Sequence, residues 1–317
     1  MILVTGANGF IGRSLCVALS HSGRTVVAVT RHALTDRAPN ITNCQISTLA
    51  IDTDWQYVLR GCDAVVHLAA RVHVMTDTAT DPLSEFRRVN VDGTLSLARQ
   101  AAAAGVRRFI FISSIKVNGE ATRLGQVFTA NDVPSPQDPY SISKHEAEQG
   151  LRKVAVETGM EVVIIRPPLV YGPRVRANFQ RMMRWLKRGV PLPLGAIHNK
   201  RSLVALDNLV DLIIICLNHP AAANQTFLVA DGEDLSTPEL LRRMGLALSR
   251  PAWLIPVPTL LLEAGAVLLG RRDMAQRLCG SLQVDISKAR ELLGWNPPFS
   301  VDEALRRTAQ GLNGKVV

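Results

Sequence analysis

Short apolar runs alternate with helical patterns through the first half of the chain. The runs are rich in Val and Ile, which is typical of parallel strands that are buried on both faces. Stretches with the spacing of an amphipathic helix separate them. The predicted strands are 2–4, 25–30, 64–70, 109–114 and 161–166. This alternation predicts an α/β fold with a doubly wound parallel sheet.

Three glycines at a spacing of three residues lie between the first strand and the first helical stretch. Gly6, Gly9 and Gly12 permit a tight turn, let backbone N–H groups approach a pyrophosphate, and allow close packing of helix on strand. The sequence therefore predicts a dinucleotide-binding turn of the Rossmann type. The residues predicted to contact the dinucleotide here are Gly6, Asn8, Gly9, Phe10, Ile11 and Gly12.

The end of the second predicted strand indicates which dinucleotide binds. An acidic residue there would accept hydrogen bonds from the adenosine ribose and repel a 2′-phosphate. Thr30, Arg31 and His32 stand at this point instead, and the next carboxylate is Asp36. Because the Arg31 guanidinium can pair with a 2′-phosphate, the sequence favours NADP(H) and leaves NAD(H) as the alternative. A solvated loop arginine is the competing interpretation of Arg31.

Two further strand ends carry residues suited to a ligand. The third predicted strand ends in Leu68, Ala69 and Ala70, and the small alanines leave room for a cofactor. The fourth ends in the hydroxyl of Ser114. Ligands of parallel-sheet enzymes bind at the carboxyl ends of strands, so we expect these residues in the same crevice as the glycine turn. His67 lies within an apolar run and is interpreted as a hydrogen-bonded core residue.

A tyrosine and a lysine one helical turn apart are the central candidates for catalysis. Tyr140 and Lys144 share one face of a predicted helix, which Asp138 caps and Pro139 begins. An ammonium beside a phenol stabilises the phenolate. We therefore expect Lys144 to lower the pKa of Tyr140 and to make it an acid or base near neutral pH. The spacing alone is common on helix surfaces, so this interpretation depends on the nucleotide-binding pattern upstream.

The pattern loosens after about residue 170. We expect residues 1–170 to form a Rossmann nucleotide-binding domain, which parts of 203–230 complete. Residues 171–317 would mainly form a smaller substrate lobe, interleaved with the first domain. The elements predicted in this half are a short strand at 201–204 and helices at 178–188, 206–218 and 237–248, the last with Thr237 as its cap.

Composition and charge narrow the class of protein. The 317 residues include five scattered cysteines in mostly apolar surroundings, so we expect reduced core thiols, no metal site and a cytoplasmic protein. The chain begins directly with an apolar strand and no basic leader. Its net charge of +9 comes from dispersed basic residues without interleaved aromatics. This argues against nucleic acid and favours a polyanionic small ligand.

The segment 252–270 is the most apolar part of the chain. Pro256, Pro258 and Glu263 interrupt it, and its longest uninterrupted run is the seven residues 264–270, against the roughly 20 that a transmembrane helix needs. No transmembrane segment is therefore predicted. We expect a loop followed by a buried or interfacial helix, and peripheral contact with a membrane stays open.

Taken together, these motifs resemble the extended short-chain dehydrogenases/reductases of the NAD(P)-dependent nucleotide-sugar epimerase/dehydratase branch. The resemblance covers nearly the whole chain and implies a UDP-sugar substrate and a homodimer built on the helices near residues 94–104 and 140. The segments that carry it are Thr5-Gly6-x-x-Gly9-x-x-Gly12, His67-Leu68-Ala69-Ala70, Asn90-Val91-x-Gly93-Thr94, Ser113-Ser114, Tyr140-x-x-x-Lys144, Arg166-Pro167, Tyr171-Gly172-Pro173 and Arg201 on a strand leading to Asp207.

The resemblance also implies a role for individual residues. Tyr140 would be the acid or base at the reacting sugar oxygen, and Ser114 would hydrogen-bond that oxygen. Lys144 would bind the nicotinamide ribose, and Asn90 and Pro167 would lie at the cofactor. The implied substrate-binding residues are Ser114, Lys116, Asn178, Leu194, Arg201 and Arg277, with Arg271 and Arg272 as alternatives to the last.

Departures from the family pattern bear on the reaction. Family dehydratases carry Thr-Asp-Glu where this chain has Ser114, Ile115 and Lys116. Loss of the two acids that drive water elimination argues against a dehydratase. Leu169 stands where the galactose epimerases carry asparagine. The narrower resemblance is to UDP-glucose 4-epimerase-like enzymes of bacterial polysaccharide clusters, which include reductases of UDP-4-keto-6-deoxy-hexosamines.

Three functions remain to be separated. An NADPH-dependent 4-ketoreductase is favoured, because Arg31 replaces an acid and the elimination acids are missing. A UDP-hexose or UDP-hexosamine 4-epimerase with tightly bound NAD is the alternative. A non-catalytic dinucleotide-binding regulator is a remote third, since Ser114, Tyr140 and Lys144 are all present.

Overall fold

The structure is a computed structural model that describes residues 1–32, 39–72, 81–268, 270, 276 and 278–312. Its strands are β1 (Ile2–Thr5), β2 (Val26–Thr30), β3 (Ile41–Gln45), β4 (Ala64–His67), β5 (Arg108–Ile112), β6 (Glu161–Arg166), β7 (Leu169–Tyr171), β8 (Arg201–Ala205), β9 (Thr226–Leu228) and β10 (Asp234–Leu235). Seven of them form a parallel sheet in the order β3-β2-β1-β4-β5-β6-β9. The predicted doubly wound Rossmann fold is confirmed.

Helices cover both faces of this sheet. Those described are α1 (Phe10–His21), α2 (Gln56–Leu59), α3 (Pro82–Arg87), α4 (Gly93–Ala103), α5 (Pro139–Thr158), α6 (Ala177–Lys187), α7 (Leu206–Asn218), α8 (Thr237–Ala247), α9 (Thr259–Leu268), α10 (Ser287–Leu293) and α11 (Val301–Leu312). A π-helical turn (Arg88–Asp92) precedes α4, and 3-10 turns lie at Ile115–Val117 and Pro220–Ala222. No helix in these described ranges is both long and apolar enough to cross a bilayer.

The central strands are apolar throughout because both of their faces are buried. Successive side chains of a strand point to opposite faces of the sheet. Val4 of β1 packs in a cluster with Leu15 of α1 and with residues of α7. The preceding residue, Leu3, packs in a second cluster with Leu97 of α4 and with residues of α5. Alternation of apolar and polar residues is therefore absent from these strands, as predicted.

The apolar pattern does not predict β3 at the edge of the sheet. Three of its five residues are exposed, so its sequence lacks the continuous apolar run of a central strand. Its pairing with β2, register Val26 opposite Ile41, makes it a strand. Edge position, which is a property of the whole sheet, therefore decides this element.

The C-terminal half forms a smaller lobe around a second sheet. This sheet has the order β10-β8-β7. Its core includes Tyr171, Met183 of α6, Leu241 of α8 and Leu305 of α11. Between β8 and β10 the chain returns to the large sheet, where α7 packs against α1 and β9 pairs with β6. The lobe is therefore interleaved in sequence with the nucleotide-binding part.

The N-terminal cap of α5 is the residue predicted from the sequence, whereas the cap of α8 lies one residue before the predicted one. α5 begins at Pro139, and the Asp138 carboxylate accepts the Ser141 N–H at 2.7 Å, as predicted. The predicted Thr237 cap of the 237–248 helix is wrong by one residue. Ser236 caps α8, because its hydroxyl accepts the Glu239 N–H while the Glu239 carboxylate accepts the Ser236 N–H.

Candidate active site

The turn between β1 and α1 has no room for side chains at its glycines. Gly6 has a φ of +65°, and a Cβ there would lie 2.9 Å from the Ala69 nitrogen. A Cβ on Gly12 would lie 2.2 Å from the Gly6 carbonyl oxygen. α1 begins at Phe10 with no side-chain cap and no acidic residue in its first turn. A helix N-terminus carries partial positive charge, and here no carboxylate of that turn neutralises it, so the turn fits a dinucleotide pyrophosphate.

A buried hydrogen-bonded chain holds the end of β4 against this turn. The His67 Nδ1 lies 2.7 Å from the Thr5 hydroxyl, and Nε2 lies 3.0 Å from the Thr94 hydroxyl. The Thr5 hydroxyl also accepts the N–H groups of Leu68 and Ala69 at 3.2 Å. Burial lowers the pKa of His67 to about 3, so the ring is neutral. His67 is thus the hydrogen-bonded core residue that was predicted.

Arg31 lies at the bend that follows β2, and its side chain is exposed. Its carbonyl accepts a hydrogen bond from the Gln45 amide at 3.0 Å, which joins the bend to β3. Two residues before Arg31, the Val29 carbonyl accepts the Ala7 N–H at 3.2 Å. The end of β2 therefore lies beside the glycine turn. Asp36, the nearest following carboxylate, is outside the described residues.

The Asn90 side chain positions the segment after β4 through hydrogen bonds from both its amide nitrogen and its amide oxygen. The amide nitrogen donates to the Arg71 carbonyl at 3.1 Å and to the Ser143 hydroxyl at 3.0 Å. The amide oxygen accepts the Arg71 N–H at 2.8 Å. Both amide hydrogens are therefore used within the protein. Asn90 thus links α5 to the loop after β4, and the cofactor contact implied by the resemblance stays a prediction.

Two contacts hold the segments of Ser114 and Tyr140 side by side. The Lys144 Nζ donates to the Ile112 carbonyl at 2.8 Å, two residues before Ser114. The Lys116 Nζ, two residues after Ser114, pairs with the N-cap carboxylate of α5 at 2.5 Å. Ser114 and Tyr140 lie between these two links. The structure therefore brings the three residues predicted for catalysis to the carboxyl end of β5.

The electrostatics of this pair differ from the expectation. Burial lowers the pKa of Lys144 to about 7, and its Nζ lies 4.4 Å from the centroid of the Phe111 ring. Burial and, to a smaller extent, the negative charge of the Asp138 carboxylate together raise the pKa of Tyr140 to about 12. The prediction that Lys144 lowers the Tyr140 pKa is wrong here, because the amine is directed at the β5 backbone and a carboxylate faces the phenol. Tyr140 is thus protonated at neutral pH.

A buried polar network next to this site was missed by the sequence interpretation. The Ser113 hydroxyl donates to the Glu148 carboxylate at 2.6 Å, and the Arg166 Nε donates to the same carboxylate at 2.9 Å. Arg166 also donates to the Asn118 side chain at 2.9 Å. All four side chains are buried or nearly so. The available signal was Glu148, which lies one turn after Lys144 on the same helix face.

The Lys116 ammonium, predicted for the substrate, has carboxylate partners within the protein. It pairs with Asp138 at 2.5 Å and with Glu120 at 3.2 Å. The neighbouring Ile115 side chain is buried. Lys116 therefore neutralises two carboxylates and links the loop after β5 to the start of α5. A substrate contact by Lys116 stays a prediction.

Residues predicted in the substrate lobe lie in different environments. Asn178 is exposed in the first turn of α6. Arg201 begins β8, and its guanidinium donates to the Gly280 carbonyl at 3.0 Å. The Leu194 side chain packs in the core of the lobe, so only its backbone is suited to a ligand contact.

The remaining predicted site residues are Pro167, at the cofactor, and Arg277, at the substrate diphosphate. Pro167 is buried at the end of β6, and its carbonyl accepts the Ile115 N–H at 3.0 Å, so it braces the loop that carries Ser114. Arg277, and its alternatives Arg271 and Arg272, lie outside the described residues. A diphosphate contact from that segment stays a prediction.

Comparison with known proteins assigns the chain to a family. The model of the NAD dependent epimerase/dehydratase family matches residues 2–230. The chain belongs to this family. As a member of the epimerase/dehydratase family, it is an NAD(P)-dependent enzyme of the extended short-chain dehydrogenase/reductase type, as the motifs predicted. It is 48% identical over 311 residues to a UDP-glucose 4-epimerase of Vibrio cholerae, covering 98% of this chain and 94% of that protein.

Solved structures of other epimerases have the same fold. A UDP-N-acetylglucosamine 4-epimerase from Bacillus cereus superposes with a TM-score of 0.81 at 21% identity, over 99% of both chains. A UDP-glucuronic acid 4-epimerase from Bacillus cereus, solved in complex with NAD, gives 0.79 at 21% identity, over 100% of this chain and 99% of that one. At these identities the likeness is one of fold.

Proposed function

We propose that this protein is an NAD-dependent 4-epimerase of a UDP-hexose or UDP-hexosamine. The similarity to the Vibrio cholerae UDP-glucose 4-epimerase, at 48% identity over almost the whole chain, carries the proposal. It favours the epimerase over the 4-ketoreductase that the sequence alone favoured. The site argues only against a dehydratase, because Ile115 is buried and Lys116 is ion-paired where dehydratases place their elimination acids.

The glycine turn and the residues around it would hold the dinucleotide. The turn at Gly6, Gly9 and Gly12 would take the pyrophosphate, and the small residues Ala69 and Ala70 would leave space beside it. The nicotinamide of a bound NAD would supply the hydride-transfer chemistry at C4 of the sugar. The protein contributes binding, orientation and proton transfer.

Tyr140 and Ser114 would act on the 4-oxygen of the sugar. The Tyr140 hydroxyl moves the proton of that oxygen, and the Ser114 hydroxyl donates a hydrogen bond to it. Because burial raises the pKa of Tyr140 to about 12, the phenol is best suited to return a proton to a 4-oxyanion. Removing a proton in the other direction requires a cation beside the phenol. Lys144, one turn away, is the residue that would supply it, and this requires its amine to be protonated and turned from the Ile112 carbonyl toward Tyr140.

The substrate diphosphate would bind at the smaller lobe. Asn178 is exposed at the N-terminus of α6, where backbone N–H groups and partial positive charge favour an anion. Arg201 at the start of β8 offers a guanidinium on the same lobe. Leu194, whose side chain is packed in the core, would contact the substrate through its backbone.

Two measurements test the epimerase proposal together. Mass spectrometry of small molecules released from the purified protein should find NAD. Incubation with UDP-glucose, and separately with UDP-N-acetylglucosamine, should give the 4-epimer of at least one, with no net change in nicotinamide absorbance. Absence of both products, with NAD bound and the protein folded, would refute the proposal.

Variants at two tyrosines separate chemistry from folding. Tyr140→Phe removes only the phenolic hydroxyl and should lower kcat by about 10²–10⁴-fold, with bound NAD and thermal stability retained. Tyr57→Phe is the matched control, since Tyr57 is exposed and lies on α2. Equal activity of the two variants would remove Tyr140 from the proposed mechanism.

A 4-ketoreductase is the second candidate, and Arg31 is the observation that favours it. The end of β2 carries this exposed arginine and no carboxylate at Thr30 or His32, which suits the 2′-phosphate of NADPH. Stoichiometric consumption of NADPH with a UDP-4-keto-6-deoxy-hexosamine would establish the reductase. Arg31→Ala should then weaken NADPH binding more than NADH binding.

We also propose that the protein is a homodimer located in the cytoplasm. We expect a homodimer that uses α4 and α5, and multi-angle light scattering of the purified protein tests the mass. The five cysteines are free thiols, which fits a reducing cytoplasm. A disulfide found by mass mapping of protein isolated under oxidation-blocking conditions would contradict this expectation.

A further inference from the structure

The expectation of dispersed basic residues without interleaved aromatics is wrong, because the whole positive excess of the chain lies in the segment 162–206, which also contains Trp185. The chain has 36 basic and 27 acidic residues, and positions 162–206 contain nine of the basic and none of the acidic ones. The remainder is therefore balanced, with 27 of each. Six of the nine are exposed on α6 or close to its ends: Arg174, Arg176, Arg181, Arg184, Lys187 and Arg188. A concentration of one charge on one element indicates a polyanionic partner at that element.

The outer face of α6 combines these cations with an aromatic residue. Arg181, Arg184, Trp185 and Arg188 have the spacing of one helix face. All four are exposed, and Trp185 retains 38% of its accessible surface. The opposite face packs into the core of the smaller lobe through residues such as Met183. The amphipathic helix thus presents guanidinium groups and an indole to the outside.

An apolar helix without a buried residue lies close by. None of the ten residues of α9 is buried, and Glu263 is its one charged residue. Leu260 is 79% exposed, Leu261 is 65% exposed and Leu268 is 87% exposed. A helix that is apolar on most of its surface is normally covered by protein or lipid.

Backbone pairing joins the cationic helix to the apolar one. The loop after α6 pairs with the loop before α9: the Leu192 N–H donates to the Trp253 carbonyl, and the Ile255 N–H donates to the Leu192 carbonyl, both at 2.8 Å. Trp253 is 67% exposed, and Ile255 is also exposed. We call the outer face of α6, the residues 253–255 and α9 the basic–apolar surface.

We propose that the basic–apolar surface binds the headgroup region of an anionic lipid bilayer. Guanidinium groups of α6 would meet anionic headgroups, the indoles of Trp185 and Trp253 suit the boundary between headgroups and chains, and the leucines of α9 would enter it. α9 is about 15 Å long, half of the ~30 Å hydrocarbon thickness, so it lies in the interface and does not span it.

Charge decides between a bilayer and a second copy of the chain as the occupant. In a symmetric dimer through this surface, the arginines of two α6 helices would approach one another. The segment that carries them contains no acidic residue, and the other parts of the surface offer a single carboxylate, Glu263 of α9, against the three arginines. An anionic bilayer satisfies both the cations and the exposed leucines. Association of two copies is therefore an outcome of the test and not the proposal.

Vesicle flotation of the full chain tests the proposal. We expect binding to phosphatidylcholine vesicles that contain phosphatidylglycerol, release by salt, and no binding to phosphatidylcholine alone. The triple variant Arg181→Glu, Arg184→Glu, Arg188→Glu should weaken binding on the order of a hundredfold or more. Leu260→Ser with Leu261→Ser should weaken it at least tenfold without changing the charge.

A charge-matched variant on other surfaces is the control. Arg24→Glu, Arg60→Glu, Arg123→Glu changes the net charge equally at exposed positions outside the basic–apolar surface and outside α4 and α5, and it should retain wild-type binding. Thermal unfolding verifies that each variant is folded.

Three results would overturn the proposal. The first is no binding of the wild type to the anionic vesicles. The second is equal loss of binding in the control and in the α6 variant, which would mean attraction by net charge alone. The third is unchanged vesicle binding of the variant with Leu260→Ser and Leu261→Ser. If the wild type binds no vesicles and forms a dimer that this variant loses, the surface joins two copies of the chain and the proposal is likewise overturned. None of these measurements needs a sugar nucleotide, so they are independent of the proposed epimerase activity.

Discussion

Lys144 provides the sharpest physical prediction, because its amine is buried and titrates near neutrality. Its Nζ donates to the Ile112 carbonyl and lies against the Phe111 ring, and burial lowers its pKa from 10.5 to about 7. We consider Lys144→Met, which keeps an unbranched side chain of similar length in the buried position and removes the titrating group.

The magnitude follows from the two pKa values. Between pH 7 and pH 10.5 the unfolded chain holds a proton on Lys144 that the folded chain has mostly lost. The unfolded state therefore binds more protons, and the free energy of unfolding rises with pH in this window. From pH 7 to pH 9 this residue contributes an increase of about 2 kcal/mol. The methionine variant should lack that increase.

Urea denaturation of both proteins at pH 7, 8 and 9 measures the difference. The slope with pH is decisive, because loss of the hydrogen bond to Ile112 shifts the stability of the variant equally at every pH. Lys153→Met is the matched control on the same helix, where Lys153 is exposed, and it should keep the wild-type slope. A Lys144→Met slope equal to that of the wild type would refute burial as the cause of the lowered pKa.

Three further substitutions test other parts of the site. Gly12→Ala should abolish nucleotide binding, because its Cβ would lie 2.2 Å from the Gly6 carbonyl oxygen; bound NAD at the wild-type level would contradict this. Glu148→Gln should lower the free energy of unfolding by about 3–5 kcal/mol, since it leaves the buried Arg166 guanidinium without its charge partner; urea denaturation measures the loss, and a value below about 1 kcal/mol would speak against it. The unfolded His67 ring takes up a proton below its ordinary pKa of 6.5, whereas the folded ring stays neutral to about pH 3, so the wild type loses about 1 kcal/mol of stability between pH 6 and pH 5 through this residue. The His67→Asn variant should lack that loss. Equal acid sensitivity of wild type and variant would contradict the last expectation.

The candidate site shows how far local sequence signals reach. The segment at Tyr140 and Lys144 lies on a helix that begins where Asp138 and Pro139 predict it, because capping depends on neighbouring residues. The identity of the groups that surround these side chains depends on other elements. Asp138 was predicted only as a cap, yet its carboxylate also holds Lys116 and raises the pKa of Tyr140.

The sequence by itself determined the order of the central strands along the chain, the glycine turn and the helix that carries Tyr140. These features depend on side-chain size, apolar runs and capping within a few residues, so a single segment encodes each of them. It also pointed to the family through the combination of short motifs.

Only the tertiary structure decided the edge strand β3, the buried Glu148–Arg166 pair and the charge states of Tyr140 and Lys144. Each depends on contacts between segments far apart in the chain: β2 with β3, α5 with β6, and Lys144 with the backbone of β5. The physical reason is that burial and pairing set the energy of a charge, and neither quantity exists until distant segments pack together.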